Sequence, residues 1–345
     1  MGVSISEILV GDDVSISDLK NKTLAVDAFN TLYMFLTTIR GADGSPLMDE
    51  NGNITSHLQG IFSRFSNLLS EGIKFIFVFD GVAPKLKEQE RKRRSDIKKE
   101  AIRLFEKAKQ EDDVENMKKY AARAVFLSSD MIEEAKELIR AMGMAIVEAP
   151  SEGEAQAARI VNNGDAFAVV SQDADALLAG AKRVIRNLSI SKRRKVTGSL
   201  SSQIVEPSIF EIDRTLKELD LSLDQLIVLS ILIGTDYNYG GVKGIGPKKG
   251  IKLVKKFDDD FDALFKEVNW SEFFDFGWKK VFDTIKNMEV SDDYSLNFSP
   301  PDFDLIRKIL VDNHQFSLER VESTFKKLEQ AKSLFAQKDL SSFFG

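Results

Sequence analysis

The sequence contains no cysteine and only two histidines, His57 and His314. Disulfides, thiolate metal sites and thiol nucleophiles are therefore excluded, and little is left for imidazole acid–base chemistry. No apolar run approaches the roughly 18 residues that cross a bilayer, and the start lacks the basic-then-apolar pattern of a secretory signal. A soluble intracellular protein with no membrane partner is expected. Carboxylates, by contrast, are plentiful, with 54 Asp and Glu in 345 residues, so any catalysis has to rest on them. A hydrophobic content of 43% supports a sizeable core in one large domain or two modest ones.

The net charge of −6 argues against a nucleic-acid partner only until its distribution is read. Residues 85–109 carry eleven basic side chains against five acidic ones, 176–195 carry seven with no acid, and 237–257 carry six lysines with no acid. The acidic excess lies in 257–304, where thirteen acids face four bases. Three basic stripes are thus available for phosphate.

Short apolar runs at Leu24–Phe29, Phe75–Phe79, Ala145–Val147 and Ala166–Val170 predict buried strands. Helical spacing lies between them, with Leu58, Ile61, Phe62, Phe65, Leu68 and Leu69 on one face and Ile132, Ala135, Leu138 and Ile139 on another. This alternation predicts an α/β fold with a mostly parallel central sheet flanked by helices. From Gly81 to Ser128 the pattern gives way to a charged, helix-favouring stretch with too few large apolar residues to be buried, which predicts a projection from the core. Beyond about Leu221 the chain turns helical and is interrupted by Gly240-Gly241-Val242-Lys243-Gly244-Ile245-Gly246-Pro247.

In open α/β sheets, ligands collect beyond the carboxyl ends of the parallel strands. Each expected strand leads into acid there: Asp27 ends the first, Asp80 ends the second, Glu152 and Glu154 follow the third, Asp173 and Asp175 the fourth. Asp236 follows the apolar helix at Leu226–Ile233. One such Asp is most simply a helix cap or turn former, and Ser151-x-x-Glu154 also reads as a capping box in which Ser151 caps. Seven carboxylates on one rim repel one another, and cations relieve the conflict. Oxygen ligands without His or Cys favour magnesium or manganese, several acids acting through water. Two such ions about 3.5 to 4 Å apart suit phosphodiester hydrolysis.

At these residues the chain resembles the flap endonuclease family of structure-specific 5′ nucleases. The resemblance runs through Val26-Asp27-Ala28, Val78-Phe79-Asp80-Gly81, Glu148-Ala149-Pro150-Ser151-Glu152-Gly153-Glu154-Ala155-Gln156, Ser171-Gln172-Asp173-Ala174-Asp175 and Gly234-Thr235-Asp236-Tyr237-Asn238, and extends over nearly the whole chain. It implies a PIN-like 5′-nuclease fold with a helical arch and a helical C-terminal helix-hairpin-helix region. The implied division is a nuclease region at 1–128 with the arch at about 81–128, a second nuclease region at 129–256 with the helix-hairpin-helix at about 226–256, a helical part at 257–335 and a tail at 336–345. The seven acids become the ligands of two Mg2+, for which Mn2+ can substitute. The implied activity is incision of branched DNA at a 5′ flap junction, with 5′-3′ exonuclease activity, in Okazaki fragment maturation and base excision repair. A related 5′-3′ exonuclease, a bubble-cutting repair nuclease and an inactive clamp-tethered DNA binder are the alternatives.

The projecting segment looks like the family's arch. Lys87 and Arg94, seven residues apart, are nearly eclipsed on a helix and able to face one phosphate; a solvated basic face is the plainer reading. Tyr33 resembles the aromatic that stacks on the nucleotide beside the cut, against ordinary packing as the alternative. Gly244, Gly246, Lys248 and Lys249 read as a helix-hairpin-helix hairpin that meets the DNA backbone, and in the family that motif also holds K+. Arg40 and Arg64 lie where the resemblance suggests duplex contacts, and both equally fit surface charge. Gln337, Leu340, Phe343 and Phe344 resemble a box that binds the sliding clamp, PCNA. A monomer is expected, cytoplasmic and nucleoid-associated in an archaeon or nuclear in a eukaryote; the absence of a long basic tail looks archaeal.

Overall fold

The computed structural model describes residues 5, 7–41, 44–121, 124–188, 193–195, 202–204 and 206–343, without the side chains of 114, 118, 193–195, 202–204 and 331–343. Among these, the strands are β1 (Gly11–Asp13), β2 (Thr23–Asp27), β3 (Lys74–Phe79), β4 (Ala145–Glu148), β5 (Ala168–Val170), β6 (Arg183–Arg186), β7 (Arg193–Lys195), β8 (Ser202–Ile204) and β9 (Ser208–Glu211). Seven form one sheet in the order β1-β9-β6-β5-β2-β3-β4, and β7 pairs with β8 apart from it. The run from β4 to β6 is parallel, while β9 is antiparallel to both β6 and β1.

The central strands are apolar throughout because both faces of the sheet are covered. Ala25, Ile76, Val78 and Val169 point into a layer built with the helices Gly153–Asn163 and Leu223–Ile233. Leu24, Val26, Phe75, Phe77 and Phe79 point into the opposite layer, against the helices Ala28–Thr38 and Ser129–Ala141 and the helical stretch from Ser56 to Ser70. Phe65 anchors that layer, with its ring 4.8 Å from those of both Phe75 and Phe77.

One expectation needs correction, and two are filled in. The first strand ends at Asp27 rather than Phe29, because the Asp27 carboxylate accepts the Asn30 N–H and starts a helix at Ala28. Beyond β5 the sheet gains β6, β9 and β1, the last at its edge, whose short or charged sequences carry little apolar signal. The segment expected to project forms two helices, Glu88–Gln110 and Val114–Ala121. Ala101, Ala108 and Ala121 are buried there, so small residues do the packing for which the sequence showed no large apolar stripe.

His57 is fully buried, and neither ring nitrogen has a hydrogen-bond partner among the described residues. Burial, and then the neighbouring His314, push its pKa down to about 4. The unfolded chain therefore takes up a proton between pH 6.5 and 4 that the native state resists, and stability drains away as pH falls through that window. The shift corresponds to on the order of 3 kcal/mol. His57→Leu should flatten the fall in unfolding free energy between pH 6.5 and 4.5 relative to wild type. Equal slopes in denaturant titrations across that range would refute this.

Candidate metal centre

Strands β2, β3, β4 and β5 are parallel, so their carboxyl ends share one rim, with the strand order reversing between β2 and β5. Asp27 closes β2 and is 3% exposed. Its second oxygen accepts from Ser171 Oγ at 3.1 Å. Asp80 follows β3 and accepts the Gly153 N–H at 2.7 Å, which serves the first turn of the helix Gly153–Asn163 from another strand. A Cβ at Gly153 would sit 2.7 Å from that same oxygen, so the glycine between Glu152 and Glu154 is what lets Asp80 approach. Ser151 does not cap this helix as expected. Its hydroxyl donates to the Val82 carbonyl at 3.0 Å instead, and Glu152 takes the N-cap position with no side-chain cap bond.

Beyond β5, the Asp173 N–H donates to Ser171 Oγ at 3.2 Å, and Asp173 Oδ2 accepts from Asn30 Nδ2 at 2.8 Å. Asn30 also accepts the Gln172 N–H at 3.0 Å, tying the β5 loop to the first helix. Asp175 opens the short helix Asp175–Leu178. Asp236 comes from the end of Leu223–Ile233 on a turn held by Thr235 Oγ1 to Asn238 Oδ1 at 2.6 Å and Asn238 Nδ2 to the Ile231 carbonyl at 2.7 Å.

The acids sense one another. Burial, then Asp80, push Asp27 up to about 7; burial, then Glu152, push Asp80 up to about 6. Glu154 is raised well above its ordinary value by burial and by Asp175 and Asp27. Arch cations answer part of this charge. Lys87 pairs with Glu152 and lies 3.5 Å from Asp236, and Arg94 pairs with Asp236. Burial alone would lower the Lys87 pKa, but Glu152 and Glu154 hold it above its usual value. The two cations do reach one place, though not as eclipsed helix neighbours: Lys87 ends a 3-10 turn and Arg94 lies inside the arch helix.

Among the described residues no three acidic side chains close into a finished ligand shell, and Lys87 and Arg94 engage Glu152 and Asp236. The donor set nevertheless suits hard divalent cations. It is oxygen only and partly buried, and burial first, then repulsion among the acids, raises the pKa of Asp27, Asp80 and Glu154, so a divalent cation would favour their ionised forms.

The remaining candidates sit farther out. Tyr33 is 41% exposed, with Lys98 Nζ 5.9 Å from its ring centre. Arg40 is spent on backbone carbonyls, those of Thr37, Gly44, Leu36 and Ala121, and so ties the end of the first helix to the arch. Arg64 is half-buried on the Ile61–Phe65 turn. Gly244 takes the left-handed region at φ 81°, Gly246 caps the helix Pro247–Phe257, and Lys248 and Lys249 are exposed at its start. No described atom lies within 4 Å of a Cβ at either glycine, so the hairpin backbone is open to approach. The side chains of Gln337, Leu340 and Phe343, and the whole of Phe344, lie outside the described residues.

Sequence reasoning missed Asn30, Ser171 and Glu90. Ser171 had a signal, being two residues before Asp173 at a strand end. Asn30 had only the weak one of a polar residue in a helix's first turn. Glu90 looked like any acid in a charged helix, yet it is 4% exposed and binds Arg93 at 2.6 and 2.7 Å and Arg94 at 2.7 Å.

Two family models match the chain, the XPG N-terminal domain over residues 2–101 and the XPG I-region over 143–236. Flap endonuclease 1 of Aeropyrum pernix is 44% identical over 100% of both chains. The solved flap endonuclease-1 from Methanococcus jannaschii superposes with a TM-score of 0.75 at 41% identity, covering 96% of this chain and 98% of that one. The catalytic core of Rad2 in complex with DNA substrate gives a TM-score of 0.67 at 25% identity, over 95% and 100%.

Proposed function

Because this chain belongs to the flap endonuclease family and is a metal-dependent 5′ flap endonuclease, we propose how its residues divide that work. Asp27, Asp80, Glu152, Glu154, Asp173, Asp175 and Asp236 hold two Mg2+, with Mn2+ able to replace them and some acids acting through water. Bound there, the ions supply hydroxide at neutral pH and neutralise charge building on the phosphate. Lys87 and Arg94 exchange their carboxylate partners for the oxygens of the scissile phosphate, orienting it and offsetting its charge. Asn30 and Ser171 hold Asp173 and Asp27 in place. Tyr33 stacks on the base beside the cut. The reading rests above all on one observation: arch cations contact Glu152, which follows β4, and Asp236, at a distant helix end, on the rim where the parallel strands β2, β3 and β5 also end in acid.

Around this centre, the open backbone of Gly244 and Gly246, with Lys248, Lys249 and a bound K+, grips duplex phosphates. Arg64 adds charge to that surface, and Arg40 acts by holding the arch base. Gln337, Leu340, Phe343 and Phe344 tether the monomeric enzyme to PCNA. Specificity is for branched shape rather than sequence.

With magnesium, a labelled 5′-flap duplex should be cut at its junction faster than a nicked duplex or a bubble, and EDTA should stop the reaction. Equal cutting of the bubble would favour the repair-nuclease reading, and no cutting of any substrate would favour an inactive binder. On the flap, Phe343→Ala combined with Phe344→Ala should remove stimulation by the clamp; undiminished stimulation would sink the tether.

A further inference from the structure

Phe126 is 55% exposed although the residues on either side are anchored, with Leu127 buried and Val125 packed on the core. The connector between the arch and the helix Ser129–Ala141 therefore directs this ring outward instead of merely failing to bury it. Lys98 Nζ sits 5.1 Å from the Phe126 ring centre and 5.9 Å from that of Tyr33. One ammonium thus spans two exposed aromatics that are far apart in sequence and belong to different elements. Lys98 lies four residues beyond Arg94 on the arch helix, one turn or about 6 Å along the same face. Arg94 reaches Asp236. An aromatic and basic strip therefore leads from the acid cluster outward beneath the arch.

We infer that Phe126, bridged to Tyr33 by Lys98, is a second stacking platform that takes an unpaired base of the DNA strand as it leaves the acid cluster. The inference rests on the flap reading of that site. Flat aromatic faces beside a cation are the sequence-tolerant means of holding single strands, since every base offers a π-face. Phe126 supplies the face, Lys98 meets the adjoining phosphate, and no hydrogen-bond readout of the base is needed. The plainer role, a ring that only shields the Lys98 stem, calls for an apolar side chain but not an aromatic one. That difference makes the two roles separable.

Phe126→Leu keeps the apolar cover and removes the face, and Phe126→Trp restores a face. A 5′-flap duplex carrying 2-aminopurine at successive unpaired positions, mixed rapidly and read before incision, should be quenched at one position by wild type and Phe126→Trp but not by Phe126→Leu. Phe126→Leu should also raise KM on the flap about tenfold with kcat little changed, a size in keeping with the loss of one stacked base. Placing an abasic residue at the quenched position should cost wild type a similar factor and cost Phe126→Leu nothing more. Wild-type quenching and KM in Phe126→Leu would overturn the platform while leaving the flap activity intact. Failure of wild type to cut the flap would instead count against the underlying reading.

Discussion

Asp27→Asn is expected to make the metal-free protein more stable while lowering magnesium-dependent flap incision by roughly 10²–10³-fold or more. The two effects come from the same charge. Asp27 is 3% exposed and stands among Asp80 and Asp173, with its pKa pushed up to about 7 by burial and then by Asp80. Holding such a group ionised at pH 8 opposes folding by on the order of a few kcal/mol, shared with its neighbours. Asparagine keeps the shape and the oxygen that accepts the Asn30 N–H, so the start of the first helix survives. What disappears is a negative charge that only a bound cation offsets. Melting in EDTA at pH 8 should move upward by a few degrees, and adding magnesium should stabilise wild type more than the variant. A lower melting temperature, or near-normal cutting, would remove Asp27 from the metal centre.

Arg94→Ala should cost about 10²-fold in kcat with a smaller change in KM, as expected for a donor that matters most as charge develops. The pairing of Arg94 with Asp236 places the guanidinium at the rim, and Glu90 holds its other edge. Arg93 binds the same Glu90 carboxylate in two bonds and lies over the Tyr239 ring at 3.8 Å. Bonds from Arg93 keep the Glu90 pKa below its usual value against the pull of burial, with Arg94 adding to the effect. Glu90 is thus a positioning residue, and Glu90→Gln should cost nearer tenfold in kcat, because Arg94 stays present but is held less firmly. The double variant Glu90→Gln with Arg94→Ala should be no worse than Arg94→Ala alone. Additive losses in that cycle would mean that Glu90 acts on something other than Arg94.

The strand that carries Asp27 was legible because Leu24, Ala25 and Val26 are apolar on both faces, which only a doubly covered strand tolerates. Its end was placed two residues late, because an Asp followed by Ala and Phe continues an apolar run on paper and begins a helix only once its carboxylate finds the Asn30 N–H. The same limit applies to Ser151. Its spacing to Glu154 satisfies a capping box, yet Asp80 from a neighbouring strand takes the Gly153 N–H and frees Ser151 to bind Val82. Strands β1, β6 and β9 went unseen because segments of three or four residues have too few apolar positions for a period to emerge.

By itself, the sequence determined the α/β class, the acid at the end of each central strand and the oxygen-only donor set, because periodicity and side-chain chemistry are local properties. Tertiary structure alone decided which partners those side chains take. It joined Asn30 to Asp173 across 143 positions and Arg94 to Asp236 across 142, and it gave Glu90 two arginines and Phe126 an outward-facing ring. Such pairings depend on where the sheet and the arch bring distant backbone together, and no local pattern records that meeting.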